Sequence, residues 1–141
     1  MGLQQLHTAM EKARYSRTEA RIVFYTAMLE DKQYGPAFST LDKLIADYQD
    51  NYVLYDWATE LFREQKKNLE GADYFERVYE KQIKRSPLMA KYALLQRATL
   101  QLAHSRKTEA LDTVQRIKGI PGSDRLLSSK VEALEREIRK A

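Results

Sequence analysis

The stretches AFSTLDKL (residues 37–44) and GADYFERV (residues 71–78) decide the fold. In each, a small residue, Ala37 or Gly71, is followed four positions on by a large apolar one, Leu41 or Phe75. Seven positions on stands Leu44 or Val78. The two windows lie 34 residues apart. The surrounding chain, from Phe24 to Phe75, reads as one helical hairpin closing at Gly35-Pro36 and the start of another closing near Asn68. A period of this length with two helices per unit marks a repeat architecture. One helix pair cannot bury its apolar face alone, so units stack and share a continuous core.

Working outward, apolar residues recur at helical intervals along the whole chain. Leu3, Leu6, Met10 and Ala13 predict a helix over 3–15, and Ser16-Arg17-Thr18-Glu19 fits a capping box. A second helix runs to about Asp31 through Ile22, Phe24, Tyr25, Met28 and Leu29. Pro36 suits the first position of a third, which carries Ala37, Leu41, Leu44, Ile45 and Tyr48 to the turn Gln49-Asp50-Asn51. A fourth, from Tyr52 to about Gln65, holds Tyr55, Ala58, Leu61 and Phe62, with Asn68 as the next cap. The fifth spans about 69–85, and Ser86-Pro87 restarts the chain with serine as cap and proline as first helical residue. Leu88 to Ala103, then Ala110 to Ile117, give the sixth and seventh. Gly119-Ile120-Pro121-Gly122 ends that run, and Ser123 is expected to cap a last helix with Leu127, Val131, Leu134 and Ile138. No segment alternates with the period of two that strands require. The expected class is all-α.

Composition narrows the function classes. The chain has 141 residues, 43% hydrophobic and 31% charged, enough for one domain with its own core. There is no cysteine, which removes disulfide scaffolds, thiolate metal sites and cysteine nucleophiles. No apolar run approaches the roughly 18 residues a membrane span needs. Met1-Gly2-Leu3-Gln4-Gln5 lacks the basic-then-apolar layout of a secretory signal, and the compartment stays open between the cytoplasm and, where a signal has been removed, the periplasm. The net charge of +4 is uneven, with residues 1–70 at −2 and residues 71–141 at +6. These charges mostly alternate with acids at helical spacing, which reads as a solvated surface.

The helix pairs resemble tetratricopeptide repeats. Ala37-Leu41-Leu44 and Gly71-Phe75-Val78 meet that family's second-helix pattern, and Ala110-Val114-Ile117 meets it again after 39 residues. Tyr55, Ala58, Phe62, Leu94 and Ala98 fall where the family has its first-helix packing positions, while Arg21, Tyr25, Arg97 and Gln101 depart from it. The resemblance implies a tetratricopeptide-like α-solenoid of about three helix pairs, with an N-terminal helix and a C-terminal capping helix. The units fall at about 18–51, 52–86 and 87–122, and the cap at 123–141. Ala27-Met28, Gln33-Tyr34, the Asp50-Asn51 turn and Ala58-Thr59-Glu60 also resemble the repeat tail of bacterial cell-envelope zinc metalloproteases. That likeness implies a substrate- or machine-docking region without its catalytic domain.

The chemistry-bearing residues point away from catalysis. A metalloprotease zinc site needs two histidines at i and i+4 on one helix, and His7 and His104 are 97 residues apart. Ser105 and Thr108 flank His104 at a predicted helix end, where capping accounts for them. Glu30-Asp31 sits at a helix exit, and no glycine-rich phosphate loop occurs. No enzyme activity, cofactor or metal is expected. Nine tyrosines and one tryptophan among basic residues suit a single-strand nucleic-acid binder, but most of these rings fall on predicted core stripes.

The family likeness places a partner groove on the first helices. It carries over to Glu19, Ile22, Thr26, Leu29 and Glu30, then Val53, Asp56, Glu60, Arg63 and Glu64, then Tyr92, Leu95, Thr99 and Leu102. A concave surface with an acidic middle and an apolar end suits a peptide or protein partner with basic and apolar side chains. The Lys/Asn pattern with which chaperone-binding members clamp a terminal carboxylate is missing. The stripe Leu127, Val131, Leu134 and Ile138 caps the array or, left exposed, docks a second copy as a homodimer.

Overall fold

The computed structural model describes residues 17–141, and every regular element among them is an α-helix. In order these are α1 (Arg17–Glu30), α2 (Tyr34–Asp47), α3 (Val53–Glu64), α4 (Asn68–Gln82), α5 (Pro87–Ala103), α6 (Lys107–Gly119) and α7 (Arg125–Lys140). The helix expected over 3–15, His7 and the Ser16 cap lie outside the described residues. The chain divides after Leu54 into two compact units.

The helices are joined by a turn that recurs. Lys32, Lys66 and Ser105 adopt left-handed φ values of 55°, 58° and 60° between α1 and α2, α3 and α4, and α5 and α6. Their N–H groups donate to the carbonyls of Leu29, Arg63 and Leu102, three residues back. The next N–H groups, of Gln33, Lys67 and Arg106, reach five back to Met28, Phe62 and Gln101. This is a Schellman closure, which satisfies the orphan carbonyls of the helix end. Glycine is the usual occupant of its left-handed position. Each side chain there costs roughly 1–2 kcal/mol, which the flanking helices must supply by packing. Ala37, Gly71 and Ala110 then donate to the carbonyls of Gln33, Lys67 and Arg106 and enter the second helix of each pair.

Three helix starts differ from the sequence reading, and one agrees. Asn68 is the first residue of α4, and the N-cap position falls to Lys67 with no side-chain capping bond. The helix holding Pro36 already begins at Tyr34, so proline is its third residue. That position tolerates proline because the first four helical N–H groups have no intrahelical partner anyway. Ser86 caps α5, accepting from Met89 N at 3.2 Å, with Pro87 as first residue. At α7 the cap is Asp124 rather than Ser123, because its carboxylate takes the Leu127 N–H at 2.7 Å. The Ser123 hydroxyl pairs with Ser128 instead.

In the first unit α1 and α2 run antiparallel. Their open end is tied by Arg21 on Asp47 and by the Thr18 and Tyr48 hydroxyls. Arginine at position 21, which departs from the repeat pattern, is thus used as an ion-pair partner. Its hydrogen bond holds the Asp47 carboxyl below the usual carboxylate range. Tyr25, Met28, Ala37, Leu41, Leu44 and Ile45 form the core of the pair.

The second unit, Tyr55–Ala141, is built on α5. Eleven of its 17 residues are buried, so it is enclosed on several sides rather than along one stripe. It packs against α4, α6 and α7. The closest approach is at Gly71 on α4. A Cβ there would lie 2.7 Å from Phe62 Cγ of α3 and 2.7 Å from Leu100 Cδ1 of α5. Three helices meet where no side chain fits. Around this point Tyr55–Phe75 and Phe62–Tyr74 ring contacts, with centroids 5.8 and 5.6 Å apart, fill the α3–α4 gap. One hairpin later Gln101 and Thr113 stand in place of Phe62 and Tyr74. There the ring contact is exchanged for a buried hydroxyl-to-carbonyl bond of 2.6 Å. Arg97, another departure from the pattern, donates to the Ala72 carbonyl at 2.9 Å. The stripe Leu127, Val131, Leu134 and Ile138 of α7 is buried within the chain, so it is not an open face for a second copy.

The glycines give a test of this packing. Gly71→Ala gains up to about 1 kcal/mol of helix propensity, but overpacking against a rigid ring typically costs about 1–3 kcal/mol. Gly35, in the first turn of α2, has nothing within 4 Å of a built Cβ. Urea denaturation should show Gly71→Ala destabilised and Gly35→Ala unchanged or stabilised by up to about 1 kcal/mol. Equal stabilisation of both would contradict the three-helix crossing.

Candidate functional site

Within the second unit α3, α5 and α7 enclose a cleft of about 450 Å³. The helical period builds its walls. Asp56, Thr59, Glu60 and Arg63 fall at i, i+3, i+4 and i+7 on α3, and therefore share one face. Lys130, Ala133, Leu134 and Glu137 repeat that spacing on α7. The floor comes from Leu95, Gln96 and Thr99 of α5.

A polar chain runs through this floor. The Thr59 hydroxyl donates to Gln96 Oε1 at 2.7 Å, and Gln96 Nε2 donates to Asp56 Oδ1 at 2.6 Å. Lys130 Nζ stands 3.9 Å from Asp56 Oδ2. Thr59 and Gln96 are buried, so the chain links α3, α5 and the partly exposed Asp56 in a setting where an unmet polar group is costly. Thr99 turns its hydroxyl back to the Leu95 carbonyl at 2.9 Å and leaves its methyl group as the other surface of the side chain.

Polar contacts hold the walls in place. Buried Lys91 donates to the carbonyls of Ile120 (3.0 Å) and Gly122, fixing the α6–α7 connection. Tyr92 donates its phenol to the Asp124 carboxylate at 3.2 Å. Lys118 reaches Glu135 at 2.6 Å, and that hydrogen bond, aided by Arg139, holds the Glu135 carboxyl below its usual range. Between α4 and α6, Arg116 grips Glu76 with two bonds of 3.0 and 2.9 Å. The same guanidinium lies 4.9 Å from the centroid of the Tyr79 ring. The Arg116 hydrogen bond lowers the Glu76 pKa, against a smaller upward push from desolvation, and raises that of Arg116 in return.

The residues anticipated for the groove are distributed as follows. Asp56, Glu60, Arg63, Leu95 and Thr99 line the cleft. Glu64 is exposed outside its lining, Leu102 is half-buried, and Tyr92 is buried at 2% exposure, its hydroxyl committed to Asp124. In the first unit Glu19, Thr26 and Glu30 are exposed and Leu29 is half-buried. Ile22 and Val53 are large apolar side chains at 36% and 40% exposure. Sequence reasoning missed Thr59 and Gln96, which occupy core positions, and Lys130, Ala133 and Glu137 of α7, a helix read as a cap or a homodimer face and not as a groove wall. Among the described residues no cluster of three or more His, Asp or Glu is placed to hold a metal, and no helix is long and apolar enough to cross a membrane. Comparison with family models, curated proteins and solved structures finds no match to the chain.

The Glu76–Arg116 pair sets a pH dependence. Because its folded pKa is depressed, the unfolded chain binds more protons over that interval. Its contribution is therefore present at neutral pH and is lost as pH falls through the carboxylate range, from roughly pH 5 downward. Urea midpoints at about pH 7 and pH 4 should fall less for Glu76→Gln than for the parent chain. Parallel losses would show that the pair adds nothing.

Proposed function

We propose that the chain is a tetratricopeptide-like α-solenoid acting as a non-catalytic scaffold, and that it holds a segment of a partner protein in the cleft of α3, α5 and α7. The observation that carries this reading is the cleft itself. Its walls come from helices spaced along the chain, each presenting one helical face of charged and apolar side chains. Three left-handed turns at 34- and 39-residue intervals, each leading into a buried small residue, support the repeat assignment. A volume of about 450 Å³ falls within the range of binding pockets, and an open, amphipathic wall fits several side chains of an extended or helical segment. Apolar contacts on Ala133 and the Thr99 methyl group would supply affinity, and the charged rim would set register and orientation.

A pull-down with the intact chain tests the reading. Thr99→Trp places an indole in the cleft, and Glu60→Lys reverses a rim charge. Each should cut recovery of the bound partner by about tenfold or more, as loss of a central contact does. Glu80→Lys, on α4 and outside the cleft lining, should leave recovery unchanged. Recovery unaffected by Thr99→Trp and Glu60→Lys would remove the cleft from the function.

A further inference from the structure

Resting on that reading, we infer that the segment bound in the cleft presents a cationic side chain, lysine or arginine, to Asp56, beside an apolar side chain seated on Ala133 and the Thr99 methyl group. Asp56 is the one acid in the cleft whose position is fixed from beneath. Gln96, only 6% exposed, pins its Oδ1, and Gln96 is itself pinned by Thr59 at 5% exposure. A pair of apolar residues would pack between α3 and α5 without the desolvation cost of a hydroxyl and an amide. What the polar pair accomplishes is to hold one carboxylate orientation at the cleft surface. Such pre-organisation lowers the cost of binding a charge there.

The second oxygen of Asp56 carries only a long ion pair. Lys130 Nζ stands at 3.9 Å, beyond hydrogen-bond reach, and its side chain and that of Asp56 are 35% and 40% exposed. An exposed pair of this geometry contributes little, so a ligand cation at hydrogen-bond distance displaces it at small cost. Glu60 and Glu137, on the two facing walls, make no ion pair among the described residues. A cation bound at Asp56 therefore lies in a field of three carboxylates against Arg63 and Lys130. An anion at the same place meets that field with the wrong sign.

Fluorescence anisotropy with the whole chain and three labelled nonapeptides tests this: three repeats of Ala-Leu-Lys, of Ala-Leu-Glu, or of Ala-Leu-Gln. The lysine peptide should bind about tenfold or more tighter than the glutamate peptide. Asp56→Asn, which keeps an oxygen for Gln96, should bring the lysine peptide down to the level of the glutamine peptide. Should that variant melt early, the Glu60→Gln, Glu137→Gln double variant at exposed positions should reduce the same preference. Equal binding of all three peptides, no binding of the lysine peptide, or a preference untouched by both variants overturns the assignment. Thr99→Trp separates the two claims. Peptide binding that survives it lies elsewhere and removes the cleft reading too, whereas cleft binding without charge preference removes only the role of Asp56.

Discussion

The second unit depends on the enclosure of α5. A helix covered on one side needs one apolar stripe, but this one also buries Lys91, Gln96 and Gln101, residues that water would otherwise hold. Each is kept by a named partner: the carbonyls of Ile120 and Gly122, Asp56 with Thr59, and Thr113. The neighbours are drawn close by absence of volume as much as by its presence. Gly71 lets α3, α4 and α5 converge, and fully buried Ala110 admits α6. Dispersion contacts fall away steeply with sub-ångström gaps, so this close approach is what makes the apolar burial effective.

The cleft follows from the same geometry. Helices α3 and α7 both stand against α5, and the space left between them becomes a trough floored by Leu95, Gln96 and Thr99. The acids of the second unit have different status. Glu135 and Glu76 are tied to lysine and arginine partners that hold helices together. Asp56 is tied from below by the neutral amide of Gln96, and its other oxygen stands 3.9 Å from Lys130 Nζ.

The sequence made the helices legible because their apolar residues recur at three and four, and the 34-residue echo of Ala37-Leu41-Leu44 in Gly71-Phe75-Val78 exposed the pairing. The turns were less legible. Gly35-Pro36 draws the eye, yet the reversal is made earlier by Lys32, and again by Lys66 and Ser105, none of which carries a local left-handed signal. Tertiary packing, not residue preference, imposes that conformation. Asp124 displaced Ser123 as a cap because both suit the role and only the chain's path distinguishes them. In the cleft, Asp56, Glu60 and Arg63 could be placed from helical phase, but Lys130 and Glu137 required knowing that α7 folds back over α5. Thr59 and Gln96 were invisible for another reason: at core positions they read as exceptions to an apolar pattern, and only their mutual bond reveals a purpose.

Native-state hydrogen exchange tests the central role of α5 most directly. Amides from Ala93 to Leu100 are predicted to exchange only through global unfolding, with the highest protection in the second unit and a free energy equal to that from denaturation. Amides of α5 that open at a fraction of the global stability, while those of α4 or α7 stay closed, would contradict this account.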